Sequence, residues 1–191
     1  EGVRACGKTE TGRRHARSEV ALDSGAPAVE AILAADPGLL LRGEVPRLLD
    51  EWQLEPSLWN RVRREIDVRQ AKGQFILTGS SVPAEDAQRH SGAHRISRIR
   101  MRPMTLAEQG RGTGAVSLAS LFKGEELPVS LDGTVSVPDA LQALAHGGWP
   151  GDLEATTAQA QRHLRDYAED IASRQRNESL YLVSEYAGKF F

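Results

Sequence analysis

Three short segments of this chain are apolar at consecutive positions rather than at alternate ones: Val20-Ala21-Leu22, Leu48-Leu49 and Phe75-Ile76-Leu77. A strand with one wet face alternates apolar and polar residues, whereas a strand apolar throughout is covered on both faces. Covering both faces is the condition of a parallel sheet with helices above and below it. Between these segments the pattern turns helical. A polar helix is expected from Lys8 to Ser18, a strand over Glu19 to Asp23, and a helix over Ala26 to Ala35 with Pro27 in its first turn. A strand over Val45 to Asp50 follows, then a helix over Pro56 to Ala71 carrying Leu58, Val62 and Ile66 at helical spacing and stopped by Gly73. Arg95 to Met101 reads as an edge strand, although Ile96, Ile99 and Met101 keep no period of two. After Pro103 the expectation is a short helix over Thr105 to Gln109 and a glycine-rich loop over Gly110 to Gly114. Two helices, Val137 to Ala145 and Ala155 to Ile171, are then separated by the turn Gly147-Gly148-Trp149-Pro150-Gly151. The expected organisation is an α/β domain over residues 1–109, a linker over 110–136 and a helical region over 137–191.

With 191 residues and 40% hydrophobic positions there is room for one main core and a small second one. No apolar run is long enough to span a bilayer, so a membrane is not expected as a partner. The net charge of -2 gives no general attraction to nucleic acid, and the arginine bias (24 basic residues, four of them lysine) reads as genomic composition. Cys6 is the single cysteine, which excludes an internal disulfide and fits a reducing cytoplasm, the expected location. The chain opens at Glu1, one residue before a functional motif, and reads as a fragment whose natural start lies upstream.

That motif is Gly2-Val3-Arg4-Ala5-Cys6-Gly7-Lys8-Thr9, which fits G-x-x-x-x-G-K-[ST] and leads directly into the first expected helix. Glycines let backbone N–H groups curl around an anion, and a helix N-terminus adds positive potential there. Gly2, Ala5, Cys6, Gly7, Lys8, Thr9 and Glu10 are therefore the candidate nucleotide contacts, with Lys8 reaching the β- and γ-phosphates and the Thr9 hydroxyl on magnesium. An accidental Gly/Lys/Thr turn is the bland alternative. The second feature is Arg47-Leu48-Leu49-Asp50-Glu51, an apolar strand that runs into two carboxylates. Asp50 is a candidate for holding magnesium and Glu51 for activating the attacking water as general base. A strand entering a polar turn often produces Asp-Glu, and it is the pairing with the loop that favours the chemical reading. An adjacent glutamate also argues against a metabolite kinase, where an activated water would waste the phosphate. The third is Thr78-Gly79-Ser80-Ser81, at a strand's carboxyl end, where Thr78 or Ser80 either contacts the water or γ-phosphate or merely caps a turn. Arg95, Arg98, Arg100 and Arg102 are candidates for an arginine finger, Arg95 foremost, against the alternative that charged residues simply decorate a sheet edge.

Taken together, the GKT of Gly7 to Thr9, LLDEWQ of Leu48 to Gln53, QFILTGSS of Gln74 to Ser81 and SGAHRISRIRMRPMTLAE of Ser91 to Glu108 resemble prokaryotic AAA-like P-loop ATPases that carry a C-terminal domain of unknown function. GGWP at Gly147 to Pro150 and YAEDI at Tyr167 to Ile171 look like the start of that second domain. The resemblance implies a three-layer α/β/α P-loop NTPase sheet with an extra strand between the phosphate-loop (Walker A) strand and the acidic (Walker B) strand. It also implies ATP as ligand and magnesium as cofactor. Two departures stand out. The strand before Gly2, expected as a central neighbour of the acidic strand, is absent, and the tail from Arg174 to Phe191 does not match the second domain.

Other signals carry less. His90 and His94 have no further ligand at zinc spacing, no G-x-S-x-G elbow occurs, and Cys6 sits where a small side chain suffices. Gly110-Arg111-Gly112-Thr113-Gly114 follows a helix and lacks the third glycine of a dinucleotide loop, and Trp52, Trp59 and Trp149 are scattered as packing residues are. The leading expectation is magnesium-dependent ATP hydrolysis. A nucleotide-gated interaction module with little turnover and a non-functional fragment stand beside it, and a homo-oligomer or protein partner is left open.

Overall fold

A computed structural model of the chain describes residues 1–79, 92–111, 117–126 and 136–187, with side chains as far as Ser173. It divides into two compact units, Glu1–Pro103 and Met104–Phe191.

In the first unit, α1 (Lys8–His15) leads into β1 (Ser18–Ala21), and α2 (Pro27–Ala35) with a 3-10 turn (Pro37–Leu41) leads into β2 (Arg47–Asp50). Then α3 (Ser57–Arg69) leads into β3 (Phe75–Thr78). The strands form one parallel sheet in the order β1-β2-β3, with Ala21 opposite Asp50 and Asp50 opposite Thr78. This is the expected α/β fold. Period-two geometry explains why the central strand is apolar throughout: neighbouring side chains on β2 point to opposite faces, so Leu48 and Leu49 serve two different layers. Both are fully buried. Leu49 joins the core formed with Leu40, Leu58, Trp59 and Val62, against which Val29 and Ile32 of α2 pack. Leu48 lies under α1 instead, where a Cβ added at Gly12 would sit 2.9 Å from its Cδ1.

Local chemistry fixes the ends of these elements. Pro27 opens α2, which stops where Asp36 precedes Pro37, and the Asp36 carboxylate then accepts from the Gly38 N–H at 2.9 Å to start the 3-10 turn. Gly12 offers a test of the α1 packing. In an open helix Gly→Ala stabilises by about 1 kcal/mol. Here the new methyl meets Leu48 and, at 3.4 Å, Thr78 Cγ2, so Gly12→Ala is expected to destabilise by about 1–3 kcal/mol, read as a lower urea midpoint.

Four expectations need correcting. The acidic strand is not left short of a neighbour, because β2 is paired on one side by β1 and on the other by β3. Arg95 to Met101 is not a strand: only Met101 makes a parallel bridge, to Gly2, with its N–H donating to the Glu1 carbonyl at 2.7 Å. Without a period of two the segment has no single face to bury, and Ile99 is left 75% exposed while Ile96 packs on the core. Thr105 to Gln109 is a turn rather than a helix. Its capping box is in place, with the Thr105 N–H donating to Glu108 at 2.7 Å and Glu108 N–H to Thr105 Oγ1 at 3.3 Å. The Thr105 N–H, followed by its hydroxyl, holds the Glu108 carboxyl below its ordinary range. Gly110, at φ 72°, ends the turn before a helix can propagate. Finally, the last helix continues well past Ile171, because neither proline nor glycine follows until Gly188.

The second unit contains α4 (Leu118–Phe122), α5 (Val137–His146) and α6 (Thr157–Ala187). Ser136 caps α5, its hydroxyl accepting from the Asp139 N–H at 3.2 Å, and Gly147 at φ 79° ends it. The turn after it is tight for a reason: the Gly148 carbonyl accepts from the Met104 N–H at 2.6 Å, and a side chain at 148 would overlap the Met104 backbone. Trp149 packs on Tyr167 of α6 with centroids 4.8 Å apart, and the buried Asp152 accepts from His163 Nδ1 at 2.6 Å. Among the described residues no helix is long and apolar enough to cross a membrane.

Candidate functional site

Parallel pairing places the carboxyl ends of β2 and β3 side by side, and α1 packs over both strands. Three of the candidate residues meet there. The Asp50 carboxylate is buried, and its Oδ1 accepts from Thr9 Oγ1 at 3.0 Å and from Thr78 Oγ1 at 2.5 Å. One residue comes from the start of α1, one from the end of β2 and one from the end of β3, so the sheet register itself assembles the cluster. A single carboxylate with a hydroxyl beside it is a hard oxygen donor set, of the kind magnesium takes while keeping several of its waters.

The loop before α1 has the backbone its glycines suggest. Ala5 at φ 61° and Gly7 at φ 89° are both left-handed, and such turns point backbone N–H groups towards one side. Gly2 is required by close approach: a Cβ there would lie 2.6 Å from the Met101 carbonyl oxygen and 2.9 Å from Cys6 Sγ. Cys6, buried at 3% exposure, is thus a packing residue under the loop. Lys8 is buried too, and its ammonium donates to the Val3 carbonyl at 2.8 Å, drawn across the loop it belongs to. Glu10 lies on the exposed side of α1, where Arg13 holds it at 2.8 Å. Arg13 also binds Glu19 at 2.8 Å, and these bonds, Glu19's first, raise its guanidinium above the ordinary value.

Glu51 follows the cluster in a left-handed conformation, φ 52° and ψ 41°, uncommon for a residue with a side chain. Its Oε2 accepts from Gln53 Nε2. Sequence reasoning assigned Gln53 no role. No signal in the sequence singles it out, because the carboxamide meets Gly79 only once β3 lies beside β2.

Arg95 is engaged elsewhere. Its Nε donates to Asp67 of α3 at 2.6 Å, a bond that lowers the Asp67 carboxyl and raises the arginine, and both groups are exposed. Arg98 lies over the Trp59 ring at 5.9 Å and 3.6 Å from the Glu1 carboxylate. Ser80 and His90 fall outside the described residues.

Compared with known families, residues 1–109 match the family model described as an AAA domain. No curated protein and no solved structure matches the chain.

Proposed function

We propose that this chain, which belongs to the AAA domain family, binds ATP with magnesium and hydrolyses it at the end of β2. Family membership points to nucleotide binding. The observation that carries the finer reading is the convergence of Thr9, Asp50 and Thr78 beside the loop that holds Lys8.

In this reading the backbone N–H groups of the loop from Gly2 to Gly7 and of the first turn of α1, Lys8 to Glu10, cradle the phosphates. Lys8 exchanges the Val3 carbonyl for phosphate oxygens. Thr9 and Asp50 are the residues that would hold magnesium, which supplies charge neutralisation on the β- and γ-phosphate oxygens when bound. Thr78 acts through Asp50: by donating to Oδ1 it fixes which way the carboxylate faces. Glu51 accepts a proton from water as the water oxygen attacks the γ-phosphorus. The bond from that phosphorus to the bridging oxygen breaks, giving ADP and inorganic phosphate.

An ATP titration with magnesium, run on the chain and on Lys8→Ala, tests the phosphate site. Losing a charge-assisted contact of about 1.5–3 kcal/mol should weaken binding roughly 10- to 150-fold. Equal affinity in the two proteins would rule out this loop as the binding site. Binding that Lys8→Ala removes, without phosphate release by the wild type, would favour a nucleotide-gated interaction module over an ATPase.

A further inference from the structure

Gln53 occupies a position that an unconstrained glutamine would leave. Its Nε2 donates to Glu51 Oε2, while its Oε1 is buried with no hydrogen-bond partner among the described residues. Burying an acceptor unpaired is unfavourable, and a long side chain on a short turn can ordinarily swing to water. Two features hold it in place. The carboxamide lies against Gly79, where any Cβ would overlap Oε1, so it fills space that only glycine leaves open. The backbone beneath it is anchored as well: Trp52, between Glu51 and Gln53, is buried and packs on Trp59 with centroids 5.4 Å apart. The Leu54 N–H closes the turn onto the Glu51 carbonyl at 3.0 Å.

We infer that Gln53 is a positioning residue for Glu51, its carboxamide clamping the Glu51 carboxylate to the Thr78-Gly79 end of β3 so that the base and the strand end move together. This rests on the reading of Glu51 as general base. A general base works only within hydrogen-bond reach of the water it deprotonates, and Glu51 stands on a turn in a left-handed conformation, with no strand to direct it. Gln53 contributes to that direction through its bond to Oε2. Because Thr78 in the same strand end also orients Asp50, one short piece of β3 sets both the magnesium-side carboxylate and the base.

The test uses Gln53→Ala and Gly79→Ala in the full chain, the second displacing the carboxamide without removing it. Each should lower kcat about 10- to 100-fold, the scale on which misplacing a reacting group by an ångström acts. The dissociation constant for ATP with magnesium should stay within roughly two-fold, since neither residue belongs to the phosphate loop. Unchanged kcat in Gln53→Ala, or equal losses in kcat and affinity, would overturn the positioning role. Should Gln53→Ala fail to fold, Gln53→Asn keeps the carboxamide but falls a methylene short of Glu51, and the same split is read from it. The clamp is also tested without turnover. In isotope-labelled protein the Gln53 side-chain amide resonance, identified by its loss in Gln53→Ala, should shift in both Glu51→Gln and Gly79→Ala. A wild type that releases no phosphate overturns the ATPase reading, and the clamp then stands or falls on that resonance. An amide signal insensitive to both substitutions overturns the clamp whatever the enzyme does.

Discussion

Glu51→Gln is expected to lower the rate of phosphate release about 10²- to 10⁴-fold, the usual contribution of a positioned base. ATP affinity in the presence of magnesium should stay within roughly two-fold. Glutamine matches glutamate in length, its carbonyl oxygen can still accept from Gln53, and a non-glycine side chain is retained at φ 52°. What changes is basicity, so the expected signature is a loss confined to kcat. Steady-state phosphate release and an ATP titration on the same preparation decide it. Turnover equal to that of the wild type would mean that water is activated elsewhere, and the nucleotide-gated reading would gain. Affinity lost together with turnover would mean that Glu51 contributes to the loop's binding surface instead.

Much of the first unit was legible in the sequence because its information is local. Leu48 and Leu49 are consecutive and both fully buried, as on a strand covered on two faces, and each strand is followed or preceded by a clear helical stretch. The loop and the acidic pair were legible for a different reason. Thr9 and Asp50 are 41 residues apart, and nothing in spacing alone brings them to 3.0 Å. The pairing of a phosphate-type loop with an acidic strand end links them by chemistry, and the parallel register supplies the physical cause. The rest depends on tertiary neighbours. Thr78 could be read as a water contact or a turn cap, and its bond to Asp50 follows only once β3 lies beside β2. Gln53 acquires a role from Gly79, on a different strand end. Arg95 looked like a finger candidate among several arginines, and its bond to Asp67 depends on where α3 packs. The apolar residues of 96–101 suggested an edge strand, yet without alternation they could not bury one face, and propensity lost to packing.

The Asp50 cluster allows chemistry and stability to be separated by two substitutions at one residue. Asp50→Asn keeps the shape and an oxygen able to accept from Thr9 and Thr78, but removes the charge that would hold magnesium. Metal stabilisation of the phosphoryl charge is worth several kcal/mol, so phosphate release should fall by at least about 10²-fold. Magnesium should no longer strengthen ATP binding. Folding should be little affected, within about 1 kcal/mol, because a buried charge is exchanged for a neutral amide of the same size. Asp50→Ala should lower turnover to a similar extent and also unfold more easily, since it leaves the Thr9 and Thr78 hydroxyls without their acceptor. Thr78 is only 7% exposed, so water cannot readily replace that partner, and an unpaired buried hydroxyl costs about 1–3 kcal/mol. The expected order of urea midpoints is therefore wild type close to Asp50→Asn, with Asp50→Ala clearly lower, while turnover groups the two variants together. Retained magnesium-dependent turnover in Asp50→Asn would remove this carboxylate from the metal site. Equal midpoints for Asn and Ala would mean that the two threonine bonds orient Asp50 without stabilising the fold, which leaves their purpose in holding the carboxylate ready for its ligand.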